Sequence, residues 1–125
     1  MQNILYIMTD QQRYDSLSLA GQSICRTPNL DRLASGGTTF SNAYTVCALC
    51  TPARASMLTG LYPHNHKLLI NQDHHPTVPD EFPDYVRLIS QDLHDAGYNC
   101  GYAGKWHCGT RKVPSTYSFR GMDVP

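Results

Sequence analysis

The chain opens on an apolar run, Ile4-Leu5-Tyr6-Ile7-Met8, that gives way abruptly to the polar stretch Asp10-Gln11-Gln12-Arg13. A run this short, with no polar alternation, predicts a strand over Asn3–Thr9 buried on both faces, the pattern of a parallel sheet. Asp10 then stands at the strand's C-terminal end, where open α/β sheets place their ligands. The periodicity changes at Thr27-Pro28. Threonine as cap, proline in the first turn, Leu30 and Leu33 as an apolar stripe and Gly36-Gly37 as a stop predict a short helix. Thr38 to Tyr44 alternates loosely and predicts a second strand. Pro52 and Gly60 frame a two-turn helix, which puts Cys50 at or just before a helix N-terminus. Residues 61–83 are rich in proline and histidine and have little periodicity, so they read as a long irregular segment that includes His64, His66, His74 and His75 as surface residues. Asp84 to Ala96 predicts the best helix of the chain. Tyr85, Leu88, Ile89, Leu93 and Ala96 would line one face, and Gly97 would end it. A further strand over Tyr98–Ala103 runs into Gly104-Lys105-Trp106-His107, and the tail from Cys108 to Pro125 reads as turn-rich with no capping element. The alternation of strands and helices predicts an α/β fold.

Composition narrows the classes of function. The chain has 125 residues, 41% apolar and 16% charged, enough for one domain with a core of its own. Ten basic and ten acidic side chains cancel, so no basic field favours a nucleic acid and no cationic face favours an anionic membrane. No segment approaches the ~20 apolar residues of a membrane span. The N-terminal run is too short for a signal-peptide core and lacks a basic leader, which leaves a cytoplasmic location as the expectation. Five cysteines, Cys25, Cys47, Cys50, Cys100 and Cys108, cannot all pair. Without an export signal they are expected reduced, with at least one thiol to explain.

Cys50 carries the most chemistry. Helix N-termini favour negative charge through unpaired N–H groups and the macrodipole, and Arg54 follows one turn along the same helix. Those two features make Cys50 a candidate nucleophile; a small buried thiol near a helix start is the alternative. Cys47-x-x-Cys50 with His64-x-His66 also offers ligands for zinc, but the histidines stand too close together for a structural site. A thioredoxin-like role for the Cys47–Cys50 pair finds no support in the residues between and after it.

Cys50-Thr51-Pro52-Ala53-Arg54 has the Cys-x-Pro-x-Arg pattern of the sulfatase family, and Ala48 through Gly60 resembles the family's first signature across its width. Further blocks fall in the family's order. The strand ending in Thr9-Asp10 resembles its first metal-ligand motif. Thr27-Pro28-Asn29-Leu30-Asp31-Arg32-Leu33-Ala34 resembles the helix that follows, and Gly97-Tyr98 through Gly104-Lys105-Trp106-His107 is similar to the second signature. The resemblance covers the chain from Asn3 to about Gly109. It implies an alkaline-phosphatase-like α/β sandwich, with a mostly parallel sheet between helices. It also implies sulfuric ester hydrolysis.

By the same resemblance, a maturation enzyme oxidises Cys50 to formylglycine, an aldehyde whose hydrate attacks the sulfur of a sulfate ester and then expels sulfate. The resemblance gives Arg54 the ordering of that hydrate, and Lys105 and His107 contact with the sulfate group. Asp10, with Gln11 and residue 50, would ligate a divalent metal, Ca2+ or Mg2+. Many members carry a second acid where Gln11 stands, and an amide removes one negative charge from the metal site. The Asp-Gln pair is similar to that of phosphonate monoester hydrolases and choline-sulfatase-like members, so phosphonate monoester or phosphodiester hydrolysis is the alternative chemistry. Cys100 stands where a serine or threonine is usual. Family members run to several hundred residues and place further metal ligands beyond position 125. Residues 1–125 are therefore expected to be the N-terminal part of a catalytic domain, incomplete at its C-terminal side and inactive alone. A non-catalytic truncated product is the remaining alternative.

Overall fold

A computed structural model describes residues 2–21, 24–71 and 77–121, which divide into two compact units with the boundary between Tyr44 and Thr45. Among the described residues no helix is long and apolar enough to cross a membrane.

In the N-terminal unit the expected helix forms. Helix α1 spans Pro28–Ser35, with proline in its first turn, and ends at Gly36, whose N–H bonds back to the carbonyls of Leu33 and Ala34. Thr27 occupies the cap position but its side chain does not cap the helix. Its hydroxyl instead accepts from the Ser18 N–H at 3.0 Å and lies 2.6 Å from Ser18 Oγ, while Ser18 Oγ donates to Asp31 at 2.7 Å. These bonds fasten α1 to a single 3-10 turn at Ser18–Ala20, which follows another at Tyr14–Ser16. The strands expected over Asn3–Thr9 and Thr38–Tyr44 are absent. Leu5 is 84% exposed and Ile7 74%, the reverse of burial on both faces. A strand exists only by pairing, and no described segment pairs with either stretch. The Leu30/Leu33 stripe of α1 is likewise exposed.

The C-terminal unit contains helices α2 (Cys50–Thr59), α3 (Pro63–His66) and α4 (Ile89–Asp95), strands β1 (Cys100–Tyr102) and β2 (Phe119–Gly121), and a 3-10 turn at Pro114–Tyr117. The strands pair in parallel, Cys100 opposite Phe119 and Tyr102 opposite Gly121. A parallel pair needs a long connection, and the whole segment from Ala103 to Ser118 supplies it. The tail is therefore not merely turn-rich: its Phe119–Gly121 segment completes the sheet. Between these elements lies an aromatic core. Trp106 is fully buried and meets Phe82 (6.4 Å), Tyr117 (5.7 Å) and Tyr102 (5.4 Å), while Leu68, Val86, Leu88 and Ala55 close it off.

Helix α4 is shorter than the pattern over 84–96 predicts. Val86, Leu88 and Ser90 are buried whereas Tyr85, Arg87 and Ile89 are exposed, a period of two that belongs to extended chain. Leu88 itself is extended (φ −104°, ψ 152°), and the Gln91 side chain accepts its N–H at 3.0 Å, so the helix begins only at Ile89. Ser90 Oγ then donates to the Tyr117 carbonyl at 2.6 Å and ties α4 to the segment leading into β2.

Candidate active site

Helix α2 begins at Cys50 because Leu49 is still extended (φ −124°, ψ 141°) and Pro52 has its backbone angle set for the first turn. Pro52 also removes one of the N–H groups that the first turn would leave unpaired. Another, that of Thr51, donates to Asn71 Oδ1 at 3.0 Å, so a residue far along the irregular segment satisfies the helix start. At the other end Gly60 takes a left-handed conformation (φ 69°) and its N–H bonds to Ser56. Cys50 is half-buried and its thiol is not in a disulfide. One turn on, Arg54 is only 8% exposed, deep for a guanidinium, and its Nη1 donates to the Lys105 carbonyl at 2.8 Å.

That bond joins α2 to the turn Gly104–Gly109. Trp106 and Cys108 are buried, while Lys105 is exposed and His107 half-buried with its Nδ1 buried, in a turn anchored on either side of His107. Trp106 Nε1 donates to the Lys112 carbonyl at 3.0 Å, which seats the indole without an unpaired donor. Cys108 Sγ lies 3.9 Å from the Thr51 carbonyl, a second link to the first turn of α2. Burial pushes the Cys108 thiol up to about 12, with Arg54 acting weakly against it. Its burial thus works against ionisation of this thiol. Cys50, Arg54, Lys105 and His107 thus belong to two abutting segments of one unit, held together by backbone acceptors.

Asp10 and Gln11 lie in the N-terminal unit, both exposed, and Gln11 has a left-handed backbone (φ 53°). A carboxylate and an amide give fewer oxygens than the ~6–8 that calcium takes. Among the described residues no three His, Cys, Asp or Glu side chains gather as a metal would need. The described residues therefore do not by themselves fit a divalent cation. Residue 50 stands half-buried at the helix start with a guanidinium one turn away.

The histidines correct the sequence reading in one place. His64 is exposed as expected, but His66 is fully buried. Its Nδ1 accepts from the Leu68 N–H at 3.2 Å, which leaves the proton on Nε2, 3.0 Å from Ser56 Oγ. Desolvation lowers its pKa below 6.5 despite favourable contacts with its own backbone and the Pro52 carbonyl. With both ring nitrogens engaged, His66 is a brace between α2 and α3 and not a zinc ligand. His74 and His75 lie outside the described residues.

Sequence reasoning also passed over Asn71, Tyr102 and Glu81. The Glu81 carboxylate, 9% exposed, accepts from three consecutive backbone N–H groups, those of Thr110 (2.9 Å), Arg111 (2.7 Å) and Lys112 (3.3 Å). Gly109 (φ 144°) allows that approach, since a Cβ there would overlap the carboxylate. No local signal marks these residues. Asn71 and Glu81 act on partners distant in sequence, and the Tyr102 hydroxyl acts on the Lys105 carbonyl three residues on.

Comparison with known proteins agrees with this architecture. The family described as Sulfatase matches residues 2–124. An ulvan-active sulfatase from Formosa agariphila is 42% identical over 105 residues, which cover 84% of this chain and 19% of that protein. An N-acetylgalactosamine-6-O-sulfatase from Bacteroides thetaiotaomicron is 39% identical over 124 residues, 98% of this chain and 24% of that protein. Among solved structures, a candidate sulfatase from Bacteroides fragilis superposes with a TM-score of 0.72 at 38% identity, over 84% of this chain and 23% of that one. The chain thus spans between 19% and 24% of the length of these relatives.

Proposed function

The chain belongs to the sulfatase family, with its alkaline-phosphatase-like α/β fold, and from that premise we propose that residues 1–125 are the N-terminal part of a catalytic domain that hydrolyses sulfuric esters. The observation that carries the reading is the first turn of α2: Cys50 at its start, Arg54 one turn on, and Arg54 held against the backbone of Lys105. Formylglycine, made from Cys50 by a maturation enzyme, supplies a hydrated aldehyde as nucleophile in place of a thiol.

The chain's own residues then have distinct tasks. The Arg54 guanidinium, with Nη1 fixed on the Lys105 carbonyl, holds positive charge and further N–H donors one turn from residue 50. Lys105 places a fixed charge on the sulfate oxygens, and His107 donates a hydrogen bond or carries the proton of the departing alcohol. Asp10 and Gln11 would offer oxygens toward Ca2+ or Mg2+, with further ligands supplied from outside the described residues. The names of the ulvan-active and N-acetylgalactosamine-6-O-sulfatase relatives favour a sulfated carbohydrate as the ester. Gln11 in place of a second acid supports a second reading, hydrolysis of a phosphonate monoester or phosphodiester.

The test is made on the full-length protein produced together with a formylglycine-generating enzyme. Aryl sulfate turnover is expected, with the Cys50 peptide carrying the aldehyde by mass spectrometry, and Cys50→Ala should abolish turnover while the fold persists. Turnover that survives Cys50→Ala would overturn the assignment. Faster cleavage of an aryl phosphonate than of the sulfate would move it to the second reading.

A further inference from the structure

Two donors from different elements converge on one backbone oxygen. The Lys105 carbonyl accepts from Arg54 Nη1 of α2 at 2.8 Å and from Tyr102 OH at the end of β1 at 2.7 Å. A carbonyl oxygen has two lone pairs, so this pair of donors saturates it. The two side chains are also electrostatic neighbours, since burial raises the pKa of the Tyr102 phenol and the Arg54 charge pulls it back. Tyr102 is firmly seated. Its ring meets Trp106 edge-on (5.4 Å, 86°) and Phe119 (5.2 Å, 63°), and its strand position pairs with Gly121.

The turn that it grips is a costly one. Gly104 has φ 114°, and His107 has φ 55°, a left-handed conformation that a residue with a Cβ keeps only when its surroundings enforce it. Burial of Trp106 fixes one point of the turn. The Lys105 carbonyl belongs to the peptide plane between Lys105 and Trp106, so holding that oxygen fixes the backbone rotation on both sides of the plane. The directions in which Lys105 and His107 leave the turn follow from it.

We propose that Tyr102 is a positioning residue: its hydroxyl, together with Arg54, locks the Lys105 carbonyl and sets where Lys105 and His107 stand beside residue 50. Tyr102 touches neither substrate nor metal in this role. The inference rests on the sulfatase reading for its catalytic consequence, and on hydrogen bonds alone for its mechanical one.

The experiment is Tyr102→Phe in the full-length enzyme, which keeps the ring and removes the hydroxyl, beside Tyr102→Leu, which removes both. In Tyr102→Phe, amide hydrogen exchange over Lys105–Cys108 should accelerate about 5- to 10-fold, the loss of one hydrogen bond. The kcat for an aryl sulfate should fall by a similar factor, with KM and formylglycine content at residue 50 unchanged and the thermal midpoint lowered by no more than a few degrees. Tyr102→Leu should lower the thermal midpoint further. Unchanged exchange in a folded Tyr102→Phe protein overturns the proposal. So does faster exchange with unchanged kcat, or a fall in kcat that only tracks lost stability or lost formylglycine. If the wild-type protein hydrolyses no sulfate ester, the sulfatase reading fails by itself, and the exchange measurement still decides whether Tyr102 holds the turn.

Discussion

The N-terminal unit buries none of its described side chains, whereas the C-terminal unit closes a core of Ala55, Leu68, Phe82, Val86, Leu88, Trp106, Cys108 and Tyr117. Apolar content does not explain the difference. Ile4, Leu5 and Ile7 are as hydrophobic as Leu68, Val86 and Leu88, yet the first three face solvent and the second three are at most 5% exposed. What differs is the presence of a second layer. Around Trp106 a helix face, a strand pair and an extended segment approach from different directions, and buried polar groups such as Glu81, His66 and Ser90 are hydrogen-bonded as they enter. Residues 3–9 form no strand with another described segment. Burial is a property of the arrangement, and a hydrophobic stretch without a facing layer gains nothing from its composition.

The largest effect that tests this contrast is in the core. Trp106→Ala should cost about 3–5 kcal/mol, measured by denaturant unfolding of the 125-residue chain, while Leu5→Ala should change stability by less than ~0.5 kcal/mol. A comparable loss at Leu5 would show that the N-terminal unit has a core of its own. Next in size is Glu81→Ala, which strips the acceptor from three backbone donors. A loss of at least about 2 kcal/mol is expected, together with faster amide exchange at Thr110, Arg111 and Lys112. Exchange that stays slow there would mean that these groups do not depend on the carboxylate.

The smallest expected effect is a pH dependence confined to one unit. His66 is buried neutral with its pKa lowered from 6.5, so the unfolded chain binds its proton more readily than the folded one. The stability that this neutral form contributes is present above pH 6.5 and falls as pH drops below it toward the folded pKa. His66→Gln should flatten that slope. The N-terminal unit contains no histidine, and its exchange rates, corrected for intrinsic pH dependence, should not share the slope. A slope unchanged in His66→Gln would assign it to other groups.

The site was more legible in the sequence than the core that supports it. Pro52 and Gly60 mark the ends of α2 through their own backbone preferences, and Cys50 falls at its first residue as the spacing predicts. Helix α1 follows its proline and glycine signals in the same way. The helix expected over 84–96 was half wrong because Val86, Leu88 and Ser90 obey a period of two set by their neighbours. The strand over 98–103 was legible, but its partner Phe119–Gly121 was not, since a three-residue strand has no pattern to read.

The sequence by itself therefore determined the order of the motifs, the two helices framed by proline and glycine, and the candidate nucleophile at the start of α2. These signals are local: a fixed proline φ, a left-handed glycine and a helical repeat act within about one turn of chain. Only the tertiary structure decided that Asn71 satisfies Thr51 from 20 residues away, that Arg54 reaches the Lys105 carbonyl across 51, and that Cys108 meets Thr51 across 57. It also decided that His66 is a buried brace and that the N-terminal apolar run lies exposed. Such contacts depend on which surfaces meet after the chain has turned back on itself, and no local preference of either partner encodes that meeting.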